Sequence, residues 1–407
     1  MLAWLAPVLV FGLVIFFHEL GHFLAAKAVG VYAPRFSVGF GPALWRRRYG
    51  ETEYVLAALP LGGYVRMASR DDETMAMIEG GGEKVPGDPA TTGASGSELK
   101  PGDLGADEGI RPADWDPEAM APFGPKPIPE HRYFESRGLP ARLLILIAGA
   151  AMNVVLALLV TTGTLAWYGS PYVPAVIDST LADTPAARAG FQHGDSVVAV
   201  NGSPVRTFDD LVRQVSPAAG SELAIEVMRS GARTVVHVTP EPMTVTNALT
   251  GEEMLQGRIG AVPMDRVERD PIPFSQAVTD GWFSTWRMAG AVATVLKRLA
   301  TGRESAENLG GPVAIAQISV QAAQLGLERL LLLVAFLSVN IGMVNLLPIP
   351  ILDGGQIVIN VLESAKGSPF SPRSREYILR AGLAIILVLF VFVMFNDIRR
   401  ILVGWWT

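Results

Sequence analysis

Three ionisable side chains sit where an apolar helix should carry none. His18, Glu19 and His22, in His18-Glu19-Leu20-Gly21-His22, interrupt the apolar run from Leu2 to Val29. A run of that length is predicted to cross a membrane as a helix, and each ionisable group inside such a span costs about 2.5–3.5 kcal/mol on insertion scales. Groups kept at that cost mark a functional site. On a helix the two histidines stand four residues apart on one face, so both imidazoles reach one metal, while Glu19 can act as base toward an attacking water. This is the donor set of a zinc hydrolase. The plain alternative, a chance match on an ordinary buried helix, leaves three adjacent ionisable groups unexplained.

The rest of the chain agrees with a mixed membrane and soluble protein. It has 407 residues, 50% hydrophobic and 18% charged, with mean hydropathy +0.33. That is too apolar for a soluble protein of this size and too patchy for one wholly in lipid. The net charge of -6 and the scattered basic residues argue against a nucleic-acid partner. There is no cysteine, so a metal has only His, Asp and Glu to bind. The first segment lacks a basic leader and outruns a signal peptide, so it is expected to be a retained span.

Four apolar segments are long enough to span: about 2 to 28, 142 to 168, 329 to 349 and 377 to 396. Lys27 and Arg35 to Arg48 follow the first, Arg132, Arg137 and Arg142 precede the second, and Lys366, Arg373 and Arg375 lie between the last two. The positive-inside rule puts residues 29 to 141 and 350 to 376 in the cytoplasm and the N-terminus outside; Arg399 and Arg400 run against it. Between the spans, 1 to 69 is expected to hold the first helix and two Gly-containing β-hairpins, separated by Tyr49-Gly50-Glu51. Residues 70 to 130 read as an acidic Gly/Pro-rich linker without order, and 131 to 170 as the second span. A compact α+β module is expected at 171 to 262, with one helix over FDDLVRQVS. An amphipathic region fills 263 to 328, and 329 to 407 holds the last two spans. The amphipathic region admits two readings, a helix along the outer membrane face or one packed on the β module.

Two histidines do not complete a zinc site, which takes three protein ligands and leaves one position open. His131 lies in the linker and His193 and His237 in the module, on the far side of the membrane by the charge rule. The candidate is Asp353, in Asn345-Leu-Leu-Pro348-Ile-Pro350-Ile-Leu-Asp353-Gly354-Gly355, at the cytoplasmic end of the third span and level with His22. The prolines remove backbone donors and the glycines loosen the chain, so an unwound segment is expected to turn Asp353 toward the metal. The other reading of Asp353 is a cap on the helix that follows.

At this point the chain resembles a known family. HELGH in the first span, GGYVRM after the hairpins, a single PDZ-like module in TPAARAGFQHGDSVVAVNG and the NLLPIPILDGG segment are similar to the intramembrane site-2 metalloproteases of the bacterial RseP type. The resemblance implies a polytopic α-helical membrane protein with four transmembrane helices. It also implies a cytoplasmic, membrane-associated β-hairpin region and an inserted extracytoplasmic PDZ-like domain. It implies zinc (Zn2+) held by His18, His22 and Asp353, with Glu19 as general base, in a bacterial inner membrane and near its cytoplasmic face. It further implies that Gly62, Gly63 and Tyr64 pair with an extended substrate strand, and that Asn345 and Asn153 contact substrate. Interhelical hydrogen bonding is the other reading of the two asparagines.

The implied substrates are transmembrane segments of single-pass proteins, such as membrane-anchored anti-sigma factors or remnant signal peptides. Two departures stand out. Many relatives carry two PDZ-like modules, and AGAAMN at 148 to 153 lacks the proline usual after its glycine. Two rival readings, a PDZ scaffold with a degenerate metal site and a transporter using midplane charges, meet an intact His-Glu-His-Asp set and a single proline-interrupted span.

Overall fold

The computed structural model describes residues 3–69, 130–246, 253–303 and 310–404. In chain order its elements begin with α1 (Ala6–Ala28), β1 (Arg35–Tyr49), β2 (Thr52–Arg66) and α2 (Leu139–Tyr168). A β-rich stretch follows: β3 (Ser170–Tyr172), β4 (Ile177–Thr180), α3 (Pro185–Ala189), β5 (Ser196–Val200), β6 (Ser203–Pro204), α4 (Phe208–Val215), β7 (Leu223–Arg229), β8 (Ala232–Val238), β9 (Glu241–Thr246), β10 (Glu253–Arg258), β11 (Ala261–Pro263) and β12 (Glu268–Asp270). Then come α5 (Phe274–Ala300), α6 (Pro312–Leu325), α7 (Leu327–Asn345), α8 (Asp353–Lys366) and α9 (Pro372–Gly404). The linker expected at 70–130 lies outside the described residues except for Glu130.

Among the described residues four helices are long and apolar enough to cross a membrane, at Ala3–Ala28, Leu139–Tyr168, Leu327–Asn345 and Arg373–Arg400. The third stops four residues short of its expected end at 349. Pro348 and Pro350 cannot donate to the helical ladder, and Leu346–Leu352 turns without helix. Gly354 and Gly355, expected to loosen this stretch, are instead helical and buried in the first turn of α8. A Cβ on either would lie about 2 Å from a carbonyl oxygen, 2.2 Å from Leu346 O and 2.1 Å from Ile349 O. They make the turn tight.

The chain divides into two compact units, Met1–Thr161 with Trp282–Thr407, and Thr162–Gly281. In the first, Val10 and Val14 of α1 pack with Leu156 of α2 and Val334 and Leu337 of α7. From Trp282 onward α5 belongs to this unit, and Ala289 and Val292 pack against Ala157 of α2 and Ala335 and Val339 of α7. Neither sequence reading of the amphipathic region included that helix-on-helix contact. Asp397 of α9 accepts hydrogen bonds from the main chain of Gly311, Val313 and Ala314 at 3.0, 3.0 and 3.1 Å, supplying partners for the orphan donors that begin α6.

β1 and β2 do more than form a hairpin. Trp45–Tyr49 pair with Thr52–Leu56 across the turn, but Arg35–Val38 have neighbours on both sides, Glu53–Leu56 and Gly63–Arg66. Each long strand folds back on itself, and Gly63–Arg66 is left as an edge with one strand neighbour. The fold-back needs Gly62, whose φ is 141° and whose Cβ would lie 1.9 Å from a Phe40 ring carbon. Phe36 and Val65 of this sheet pack on Phe23 of α1, which seats the edge beside the HELGH helix.

The second unit owes its core to alternation. Val197 and Val200 of β5, Leu223, Ile225 and Val227 of β7, Val236 and Val238 of β8, and Leu211 and Val215 of α4 are all buried in one cluster. Their sheet runs β6-β5-β7-β8, antiparallel. α4 begins with a capping box in which Thr207 and Asp210 exchange side-chain and main-chain hydrogen bonds. The unit extends past the expected boundary at 262, because β11 pairs with β4 and β12 with β3. The charged Val267-Glu-Arg-Asp270 stretch has no alternation to announce a strand.

Candidate metal centre

One turn of α1 puts His18 and His22 on the same face, and the turn before α8 brings Asp353 to them. His18 Nε2 and His22 Nε2 are 3.2 Å apart, and Asp353 Oδ2 lies 3.2 Å from the first and 3.3 Å from the second. Both histidines are 6% exposed. This is a nearly equilateral triangle of donor atoms. Tetrahedral zinc with bonds of about 2.0–2.1 Å places its ligands roughly 3.3 Å apart, so the triangle has the edge that the ion requires.

The donor chemistry fits as well. His22 Nδ1 donates to Ile145 O of α2 at 2.9 Å, which leaves the Nε2 lone pair facing the triangle. Asp353 Oδ2 is buried and has no hydrogen-bond partner among the described residues. Two imidazole nitrogens and a carboxylate oxygen converging in a buried place form a donor set that a cation would fit. The cap reading of Asp353 does not hold: Leu352 is the N-cap of α8, no side chain caps it, and Asp353 begins the first turn with its carboxylate turned to the histidines.

Room for the two imidazoles comes from Gly149. A Cβ there would lie 2.3 Å from His22 Nε2 and 2.8 Å from His18 Cε1, so any side chain would push both rings out of this arrangement. Gly21 of HELGH serves the same helix contact from the other side, where a Cβ would meet Ala148 O at 2.2 Å. Small residues let α1 and α2 approach this closely. Ile145, Gly149 and Asn153 follow one another at four-residue steps along α2, a single stripe against the site. Sequence reasoning passed over Ile145 and Gly149; the small-residue run Ala148-Gly-Ala-Ala151 was the signal.

The remaining residues fall around this triangle. Glu19 is half-buried; a Cβ on Gly63 would lie 3.2 Å from its Cγ, and its carboxylate takes a main-chain hydrogen bond from Val65. The edge strand of β2 therefore lies directly against the glutamate. Asn345, last residue of α7, has Nδ2 2.9 Å from His18 Nε2. Asn153 is 0% exposed, with Nδ2 3.3 Å from His18 Nδ1. Tyr64 stacks on Phe40 at 6.4 Å between ring centres, one residue beyond Gly63 on the edge.

Beyond the spans, the end of α1 is tied down by Glu51, which accepts from Lys27 at 2.5 Å and from both Arg132 amino groups at 2.8 and 2.9 Å. Burial alone would raise the Glu51 pKa, but the bonds from Arg132 and Lys27 outweigh it and hold the carboxylate below its usual range.

Comparison with known proteins supplies independent support. Residues 6–389 match the model of Peptidase family M50. The chain is 31% identical to the zinc metalloprotease RasP of Bacillus licheniformis, over 98% of this chain and 99% of the relative. It is likewise 31% identical to RasP of Geobacillus kaustophilus, covering 97% of each. Against the regulator of sigma-W protease RasP of Bacillus subtilis the identity is 30%, over 98% of both. A match across nearly the whole length, centred on a donor triangle of zinc dimensions, makes this chain a member of Peptidase family M50, the site-2 zinc metalloproteases.

Proposed function

We propose that His18, His22 and Asp353 hold the zinc ion and that Glu19 is the general base in hydrolysis of peptide bonds inside the membrane. The observation that carries this reading is the triangle of 3.2, 3.2 and 3.3 Å with the half-buried Glu19 one residue from its first corner. Zinc in such a site polarises a carbonyl and brings the pKa of water toward neutrality. Glu19 takes the proton from the attacking water and passes it to the leaving amine. The Asn345 amide, beside the metal-facing nitrogen of His18, is in reach of a substrate carbonyl.

A transmembrane substrate has to unwind before it can be cut, and its freed backbone groups then need partners in a place without water. The edge at Gly63–Arg66 supplies a row of such partners next to Glu19, by strand addition. Gly62 and Gly63 let this edge pack closely on Phe40 and beside Glu19, where the incoming chain would pair with it, and Tyr64 flanks it. Substrates of this kind are single-pass membrane proteins whose outer part has been removed, among them membrane-anchored anti-sigma factors and remnant signal peptides; the Bacillus subtilis relative is named for sigma-W regulation. The family resemblance implies the bacterial inner membrane, and the distribution of basic residues puts the metal centre near the cytoplasm and the PDZ-like module outside.

The decisive experiment uses the protein purified in detergent with a model transmembrane substrate and measures cleavage and bound zinc together. Wild type cleaves and carries zinc, Glu19→Gln keeps zinc and loses at least about 10²–10⁴-fold in rate, and Asp353→Asn loses zinc. Full activity in Glu19→Gln, or zinc unchanged in Asp353→Asn, would overturn the assignment.

A further inference from the structure

We propose that Asn153 is a positioning residue of the metal centre: its side-chain oxygen accepts the Nδ1 hydrogen of His18 and so keeps the Nε2 lone pair of that ring aimed at the metal. This rests on the zinc reading above.

The starting point is a conflict at His18. Asn153 Nδ2 stands 3.3 Å from Nδ1, while Asn345 Nδ2 stands 2.9 Å from Nε2. A neutral imidazole has one hydrogen and one lone pair, so it cannot accept from amide groups at both nitrogens. One amide has to present its oxygen. A half-turn about the last side-chain bond exchanges the amide oxygen and nitrogen without altering the shape of the residue.

His18 itself decides which amide turns. Its Nε2 points at His22 Nε2 and Asp353 Oδ2, so the lone pair belongs there and the hydrogen belongs on Nδ1. The group beside Nδ1 must therefore be an acceptor, and that group is Asn153. Its Oδ1 is buried with no hydrogen-bond partner among the described residues, free to take this role. The second histidine obeys the same rule, since His22 Nδ1 donates to Ile145 O at 2.9 Å. Metal-binding histidines nearly always hand their other N–H to such an acceptor, which fixes ring and tautomer. Both acceptors hang from one stripe of α2, with Gly149 between them. Full burial leaves Asn153 no face toward a bound peptide, so its influence on catalysis passes through His18.

The test compares variants that keep or remove the acceptor at constant shape. Zinc affinity of the full-length protein in detergent is measured by competition with a chromogenic chelator, and the cobalt(II)-loaded protein is followed by its visible spectrum. Asn153→Asp is expected within about threefold of wild type, whereas Asn153→Leu binds zinc about 10–100-fold more weakly and shifts the cobalt bands. Asn153→Thr and Asn153→Val repeat the comparison with a smaller matched pair, should Asn153→Leu fail to fold. Wild-type affinity in the Leu and Val variants overturns the proposal. So does an equal loss in all four, which would assign Asn153 a role in packing alone. A wild type without zinc would instead strike down the metal reading itself.

Discussion

In the helical unit, α1 and α2 meet through Gly21 and Gly149, where one added methyl would be forced to 2.2 Å from Ala148 O and 2.3 Å from His22 Nε2. In the β-rich unit the contacts are made by large side chains, Ile225 and Val227 alternating with half-buried positions on β7 and Leu211 on α4. The first arrangement is held by what is missing from the surface of a helix, and the second by what fills an interior. Where every residue is apolar, burial of apolar groups no longer selects a neighbour, so close backbone approach and a few polar groups do the selecting. Where water is the alternative, the pattern of apolar residues does it.

The largest effect expected is from Gly149→Ala. The methyl collides with the His22 and His18 rings, so on the proposed ligand set zinc and cleavage should both be lost, whereas Gly163→Ala on the same helix, with nothing within 4 Å, should leave both unchanged. Zinc content of the two purified proteins checks this; normal zinc in Gly149→Ala would break the comparison. Next is Leu211→Ala, which destabilises the β-rich unit by about 2–5 kcal/mol and leaves the zinc content as it was. Hydrogen exchange of β5, β7 and β8 amides reads the loss.

A smaller effect depends on pH. Asp210 is held at about 2 by the Thr207 main-chain and side-chain hydrogen bonds and by Arg213. Its carboxylate therefore stabilises the fold above its ordinary pKa of about 4, and that contribution disappears as pH falls through about 2. Asp195 shifts the same way, since the bonds from Arg229 outweigh the upward push of burial. Protection of α4 amides should exceed that of Asp210→Asn at pH 5, and the gap should shrink to a small remainder at pH 2. A gap undiminished at pH 2 would exclude the linkage. The smallest effect is Thr207→Ala, which removes one half of the capping box and costs about 1 kcal/mol, confined to the amides of 208–215.

The sequence was most legible where residues break the local rule. His18, Glu19 and His22 in an apolar run, and two prolines beside Asp353, announce themselves because each is costly in its setting. The strands of the β-rich unit were legible for the opposite reason, their regular alternation. What escaped was whatever depends on distant partners. The double flank of Arg35–Val38 follows from a fold-back that no local pattern encodes, and β12 exists because β3 lies opposite. Gly149 looked like one small residue among several, and only the position of His22 gives it meaning.

The break between α7 and α8 has a consequence in time. It delivers Asp353 to a site begun by residues near the start of the chain, and 327 residues separate His18 from Asn345 alone. At about 5–20 residues per second, a ribosome takes roughly 15–70 s to travel from the first corner of the triangle to the last. Throughout that interval the HELGH helix is already made while the triangle lacks its anionic corner. On the proposed ligand set, the metal centre therefore stays incomplete until translation has passed residue 353.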